Sequence, residues 1–186
     1  KDISARALNV ELNFVAAIRE RVGLLKGLPE TVIADVLQSR ISLMPGGPVL
    51  LATMKAHGAY AALVAGGFTA VTSAVASQLG FDENRANTLL VQEATLTGEV
   101  GTPILGQQAK VDALVEITAR LGISEQDVLA VGDGANDLGM LQRAGMGVAL
   151  HAKPAVAAQC DVRVNFGDLT ALLFLQGYAR SEFIAP

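Results

Sequence analysis

The sequence has no tryptophan and only 4% aromatic residues, so any core it buries must be built from leucine, valine, isoleucine and alanine. Its single cysteine, Cys160, excludes an internal disulfide and suits a reducing, cytoplasmic setting. It has no basic run. With a formal net charge of −4, nothing in it would neutralise a phosphate backbone, which argues against nucleic-acid binding. No apolar stretch approaches the roughly 18 residues a membrane span needs, and no signal-peptide pattern follows Lys1. The only histidines, His57 and His151, lack metal-ligand company, and Cys160 has no nearby base; all three are read as packing or surface residues.

What is present is a chain of 186 residues, 51% hydrophobic, enough for one domain or for a core with a small accessory one. Leu12, Val15, Ile18, Val22 and Leu25 recur at helical spacing, and a second helical pattern follows Pro29 up to about residue 40. Pro45-Gly46-Gly47-Pro48 is a strong breaker and the candidate domain boundary, dividing residues 1–44 from residues 45–186. Beyond it, short apolar runs at 60–64, 128–131, 148–150 and 162–164 alternate with helical patterns at 68–79, 110–121, 137–144 and 169–175. Residues 88–91 and 94–100 suggest a hairpin or two edge strands. Strands alternating with helices predict an α/β fold, a mainly parallel sheet flanked by helices.

The sharpest feature is Val131-Gly132-Asp133-Gly134-Ala135-Asn136-Asp137. An apolar strand runs into two glycines that bracket an acid, and a second acid follows where a helix begins. In open α/β sheets, ligands sit at the carboxyl ends of strands. Two carboxylates one turn apart suit Mg²⁺, which keeps several waters and completes its shell from a phosphate. The competing reading of Asp133 is a helix N-cap. The third and sixth positions, Ala135 and Leu138, exclude a calcium loop. In Val64-Ala65-Gly66-Gly67-Phe68-Thr69 a second strand meets a helix through glycines, either a backbone anion site or a plain tight turn. Lys110, after the loop 103–108, gains meaning only beside such a site, where a cation would offset the charge.

Together these segments resemble the phosphoserine phosphatases of the haloacid dehalogenase superfamily. Gly132-Asp133-Gly134-Ala135-Asn136-Asp137-Leu138 resembles their fourth motif, Ala65-Gly66-Gly67-Phe68-Thr69 their second, and Gln108-Ala109-Lys110 their third. Residues 19–29 resemble their helical cap segment, and 94–100 their Leu-Thr-Gly hairpin. The resemblance implies a Rossmann-like parallel sheet with a small helical cap. It also implies Mg²⁺-dependent hydrolysis of O-phosphoserine to L-serine, the last step of serine synthesis. On that resemblance Asp133 binds Mg²⁺ directly, Asp137 supports the metal and its waters, and Lys110 bridges nucleophile and phosphate. Gly66 offers a backbone N–H to the phosphate, Asn136 helps hold it, Arg21 pairs with the substrate carboxylate, and Phe14 lines the cap side of the pocket.

Two departures stand out. The family's leading Asp-x-Asp-x-Thr motif, source of the nucleophile and of the acid–base residue, has no counterpart in the sequence. The chain begins within the cap region, so the expectation is that an N-terminal piece is missing and that these residues alone are inactive. A parallel sheet without its first strand would have a gap or an unpaired edge, filled by such a segment or by association between copies of the chain. Second, Ala65 stands where the family has serine, removing a hydroxyl donor to the phosphate. The alternatives are a catalytically silent phosphate- or serine-binding relative, and a phosphatase for another small phosphate ester.

Overall fold

The computed structural model describes residues 14–185. The chain forms two compact units: residues 1–43 with 61–106, and residues 44–60 with 107–186. They do not coincide with the division at 44/45, because residues 61–106 group with the N-terminal helices.

In the first unit, helices α1 (Phe14–Gly23) and α2 (Thr31–Ser39) precede strand β1 (Ala62–Phe68), helix α4 (Thr69–Leu79) and strand β2 (Glu83–Asn87). The hairpin β3 (Leu89–Gln92) and β4 (Thr95–Val100) follows; the helix α3 (Gly47–Ala56) belongs to the other unit. Leu12 of the first helical pattern lies outside the described residues. Strands β1 and β2 pair in parallel, and β3 and β4 antiparallel, as the hairpin pattern predicts. The core explains the grouping: Ile18 and Val22 of α1 bury against Val100 of β4, with Phe68, Leu89 and Ile104 packed around them. Each leucine- or valine-sized side chain buried in this way contributes about 1.5–3 kcal/mol.

The second unit opens with α3 (Gly47–Ala56). The breaker 45–48 is therefore also a helix start. Gly46 takes a positive φ of 80°, and Pro48 falls in the first turn, where a missing N–H costs nothing. Asp168 and Thr170 close over this turn so tightly that a Cβ on Gly46 would stand 2.7 Å from the Thr170 nitrogen. Then come α5 (Gln107–Leu121), β5 (Leu129–Gly132), α6 (Leu138–Arg143), β6 (Met146–Leu150), α7 (Pro154–Ala157), β7 (Val162–Val164) and α8 (Ala171–Leu175). Strands β5, β6 and β7 form a parallel ladder in that order. Its core holds Ala130, Leu141, Ala149 and Cys160, which is buried and free. Buried Thr53 of α3 accepts a hydrogen bond from the Ile184 N–H at 2.9 Å, tying the start of this unit to its end.

Among the described residues, β1 is paired only by β2 and β5 only by β6. The same residues include no helix long and apolar enough to cross a membrane. Two elements escape the sequence reading. The helix α3 lies behind its own breaker, and β2, Glu-Asn-Arg-Ala-Asn, is too polar to read as a strand. Strand β1 also continues through Gly66 and Gly67 to Phe68 rather than ending at the glycines.

Candidate active site

The fourth-motif residues sit where the sequence puts them, at the carboxyl end of a parallel strand. Strand β5 ends at Gly132, a one-turn 3₁₀ helix (Ala135–Asp137) follows, and α6 begins at Leu138. Asp137 is 3% exposed and folds back over the strand end. Its Oδ2 accepts the backbone N–H groups of Asp133 at 3.1 Å and Gly134 at 2.9 Å. Its own N–H donates to the Gly134 carbonyl at 2.9 Å.

Both glycines are required by that fold-back. A Cβ on Gly132 would lie 2.4 Å from the Asp137 Cβ, and one on Gly134 would lie 2.3 Å from Asn136 Oδ1. Asn136 is thereby packed onto the Gly134 backbone. A side chain at either position would collide with the acid or the amide the motif displays.

Lys110, in the first turns of α5, donates to Asp137 Oδ1. The side chains of this ion pair are 12% and 4% exposed. In that environment a lone carboxylate would be costly, and the lysine together with the two backbone N–H groups compensates its charge. The carboxylate of Asp133 is exposed to solvent. The two acids form a small hard-oxygen set, with no cluster of three or more His, Cys, Asp or Glu side chains among the described residues. That donor set fits an ion that keeps waters and takes phosphate oxygens, as Mg²⁺ does, and not one requiring an all-protein cage.

In the first unit, β1 carries the second motif through a bulge. Val64 pairs with Arg85 and Phe68 with Asn87, so Ala65, Gly66 and Gly67 stand opposite Ala86 alone. A bulge of this kind takes peptide groups out of the ladder and re-aims them. The ring of Phe14 lies over Gly66 and Gly106, and a Cβ on either would meet it at 3.4 Å. Arg21 is exposed, two helical turns beyond Phe14 on the same side of α1. The structure thus groups Phe14 with Gly66 in one unit, and Lys110, Asp133, Asn136 and Asp137 in the other. The residue that sequence reasoning missed here is Asn87, which holds the bulge from inside; nothing in the polar run 83–87 marks it in advance.

A cleft of about 600 Å³ in the second unit runs past Val49, Asp168, Phe174 and Arg180. One of about 700 Å³ in the first unit runs past Thr88, Glu99 and Pro103. Neither is lined by the motif residues.

A family model described as haloacid dehalogenase-like hydrolase matches residues 5–142. A phosphoserine phosphatase of Streptomyces coelicolor is 40% identical over 181 residues, covering 97% of this chain and 44% of its own length. One from Lactococcus lactis is 38% identical over 182 residues, covering 97% and 84%. The chain spans about half the length of several of the curated relatives it matches, 44% to 55% in four of them. Among solved structures, an unliganded probable phosphoserine phosphatase from Vibrio cholerae superposes with a TM-score of 0.88 at 36% identity, covering 97% of this chain and 56% of that one. A substrate-bound phosphoserine phosphatase complex gives 0.86 at 35% identity, covering 94% and 82%.

Proposed function

The chain belongs to the haloacid dehalogenase-like hydrolase family, and we propose that it carries the metal- and phosphate-binding groups of a phosphoserine phosphatase, which releases L-serine and phosphate from O-phosphoserine. The observation that carries the reading is the Asp137 carboxylate. It is buried at a strand end, held by two backbone N–H groups and paired with a lysine. A buried acid and a buried lysine gathered at the carboxyl end of a strand mark a functional-site candidate, and the ligand that such hard oxygens and a cation suit is a metal-bound phosphate.

Asp133 and Asp137 would hold Mg²⁺, which when bound supplies positive charge against the phosphoryl oxygens. Lys110 provides a fixed cation for the same developing charge, in a setting where it cannot be hydrated freely. Asn136 and the Gly66 N–H donate to the phosphate. The planar fork of Arg21 suits the carboxylate of the serine moiety, and Phe14 gives the apolar wall beside it. The N-terminal segment 1–44, helical at Phe14–Gly23 and Thr31–Ser39, is the part we assign to substrate recognition. Since the sequence contains no Asp-x-Asp-x-Thr, the attacking carboxylate and the acid–base group are assigned to none of its residues. A reducing, cytoplasmic setting agrees with the free buried Cys160.

The test is phosphate release from O-phosphoserine, with O-phosphothreonine and glycerol phosphate as competitors. The 186-residue chain is assayed alone and together with a supplied segment carrying the family's Asp-x-Asp-x-Thr motif. Mg²⁺-dependent release selective for O-phosphoserine, only when that segment is supplied, is the expected result. Turnover by these residues alone would sink the nucleophile assignment. No turnover with the segment present would sink the proposed activity.

A further inference from the structure

The bulge in β1 leaves the Gly66 carbonyl without a ladder partner, and a side chain takes over that role. Asn87, the last residue of β2, is 1% exposed. Its Nδ2 donates to the Gly66 carbonyl at 3.1 Å and to the Leu105 carbonyl at 3.3 Å, while its Oδ1 accepts the Leu105 N–H at 2.7 Å. Two carbonyls face the nitrogen and one N–H faces the oxygen, so the amide can sit in only one orientation. Both of its donors are used, and no other side chain makes these contacts among the described residues.

A peptide unit is planar and trans, so fixing the Gly66 carbonyl also fixes the Gly67 N–H, which points the opposite way. Glycine peptides have the widest conformational freedom of any, and a bulge gives them no ladder to restrain it. The same amide pins Leu105, in the loop that leads toward Lys110 in the sequence. We propose that Asn87 is a positioning residue that presets the Gly66–Gly67 peptide directly, and the adjoining Gly66 N–H through their shared α-carbon, for a phosphate oxyanion. This rests on the reading above that the Gly66 N–H meets phosphate. With serine replaced by Ala65, backbone groups must carry the donation in this motif, which makes their alignment matter more.

The test compares Asn87→Asp and Asn87→Ala in the enzyme supplied with its nucleophile segment. Asn87→Asp keeps the acceptor for Leu105 but sets a carboxylate oxygen against two carbonyls. The expected result is a kcat for O-phosphoserine lowered about 10–100-fold, with KM changed less than about threefold, in variants that fold. A lowered Tm with kcat within about threefold of wild type would mean Asn87 only holds the fold, and would overturn the proposal. A second measurement uses the unaltered protein, so it does not depend on the variants folding. Inorganic phosphate with Mg²⁺ is titrated while the backbone amide and Asn87 side-chain resonances are followed. The Gly66, Gly67 and Asn87 Nδ2 signals should shift together. A response at the glycines with Asn87 unmoved, or no response at the glycines, overturns the proposal. Phosphate binding with that joint shift, but no turnover of O-phosphoserine, would remove the proposed substrate and leave the role of Asn87 standing.

Discussion

Gly132 and Asp137 are in van der Waals contact across the end of β5, with no room between them for a methyl group: a Cβ on Gly132 would stand 2.4 Å from that of Asp137. The atom in the way is the root of the acid's side chain, not a flexible tip, so the fold-back itself would have to open. Gly132→Ala should cost about 1–3 kcal/mol, in the range of overpacked sites. It should also weaken Mg²⁺ binding, because Asp137 and Asp133 share the turn that moves. Thermal unfolding and calorimetric Mg²⁺ titration read the two effects; wild-type values in both would show the turn absorbs a methyl.

Lys110 and Asp137 make the second prediction. Removing one partner of a buried pair leaves the other charged and uncompensated. Lys110→Met and Asp137→Leu should therefore each cost about 3–5 kcal/mol. The double variant should be much less destabilised than the sum, since no lone charge remains. Denaturant unfolding of the four proteins gives the coupling energy directly, and additive losses would show that the pair is not energetically coupled.

Acid should destabilise the second unit through Asp168. Hydrogen bonds from the Thr170 hydroxyl at 2.5 Å and backbone N–H at 2.8 Å hold its carboxyl below the ordinary 3.8. The folded state thus binds its proton less readily than the unfolded chain. The associated stability is present above about pH 4 and is lost as pH falls through the lowered folded value. Solvent exposure keeps the effect small. Asp168→Asn should flatten the acid limb of a Tm-against-pH curve, with a slightly lower Tm than wild type above about pH 5 and the two curves converging in acid. An unaltered acid limb would rule the carboxyl out.

Ala65→Ser restores a hydroxyl to the bulge beside Gly66. One preorganised donor to an oxyanion is worth about 10²–10³ in rate, so kcat should rise by up to about 10² in the enzyme supplied with its nucleophile segment. Stability should stay within about 0.5 kcal/mol, as for most substitutions away from the core. An unchanged kcat would mean the backbone donors already suffice.

The sequence shows its structure where one residue type answers to one physical demand. Gly132 and Gly134 around Asp133 are legible because only glycine lets Asp137 and Asn136 approach so closely, and β7 is legible because Val162 and Val164 alternate around Arg163. Legibility fails where the demand is tertiary. Strand β2 is built from Glu, Asn and Arg, and it is a strand because β1 lies beside it, not because its residues favour one. Asn87 looks like any loop asparagine until its three partners, distant in sequence, are seen around it. The helix α3 hides behind Pro45-Gly46-Gly47-Pro48, where the same residues that end one segment begin another. The grouping of residues 61–106 with the N-terminal helices rests on the core around Val22 and Val100, a pairing no local pattern announces.

The hydrogen bond from Ile184 to Thr53 carries a consequence for the order in which the chain can fold. The unit it closes is discontinuous: α3 is synthesised first, then waits while residues 61–106 emerge and form the other unit. The Thr53 hydroxyl exchanges water for this partner only when the last turns of the unit arrive, and closing so long a loop is entropically slow to begin. On the ribosome α3 is therefore an exposed, apolar orphan until residues 107–184 have emerged. Chaperone dependence and early proteolysis should concentrate on that helix, which carries none of the residues assigned to substrate or metal.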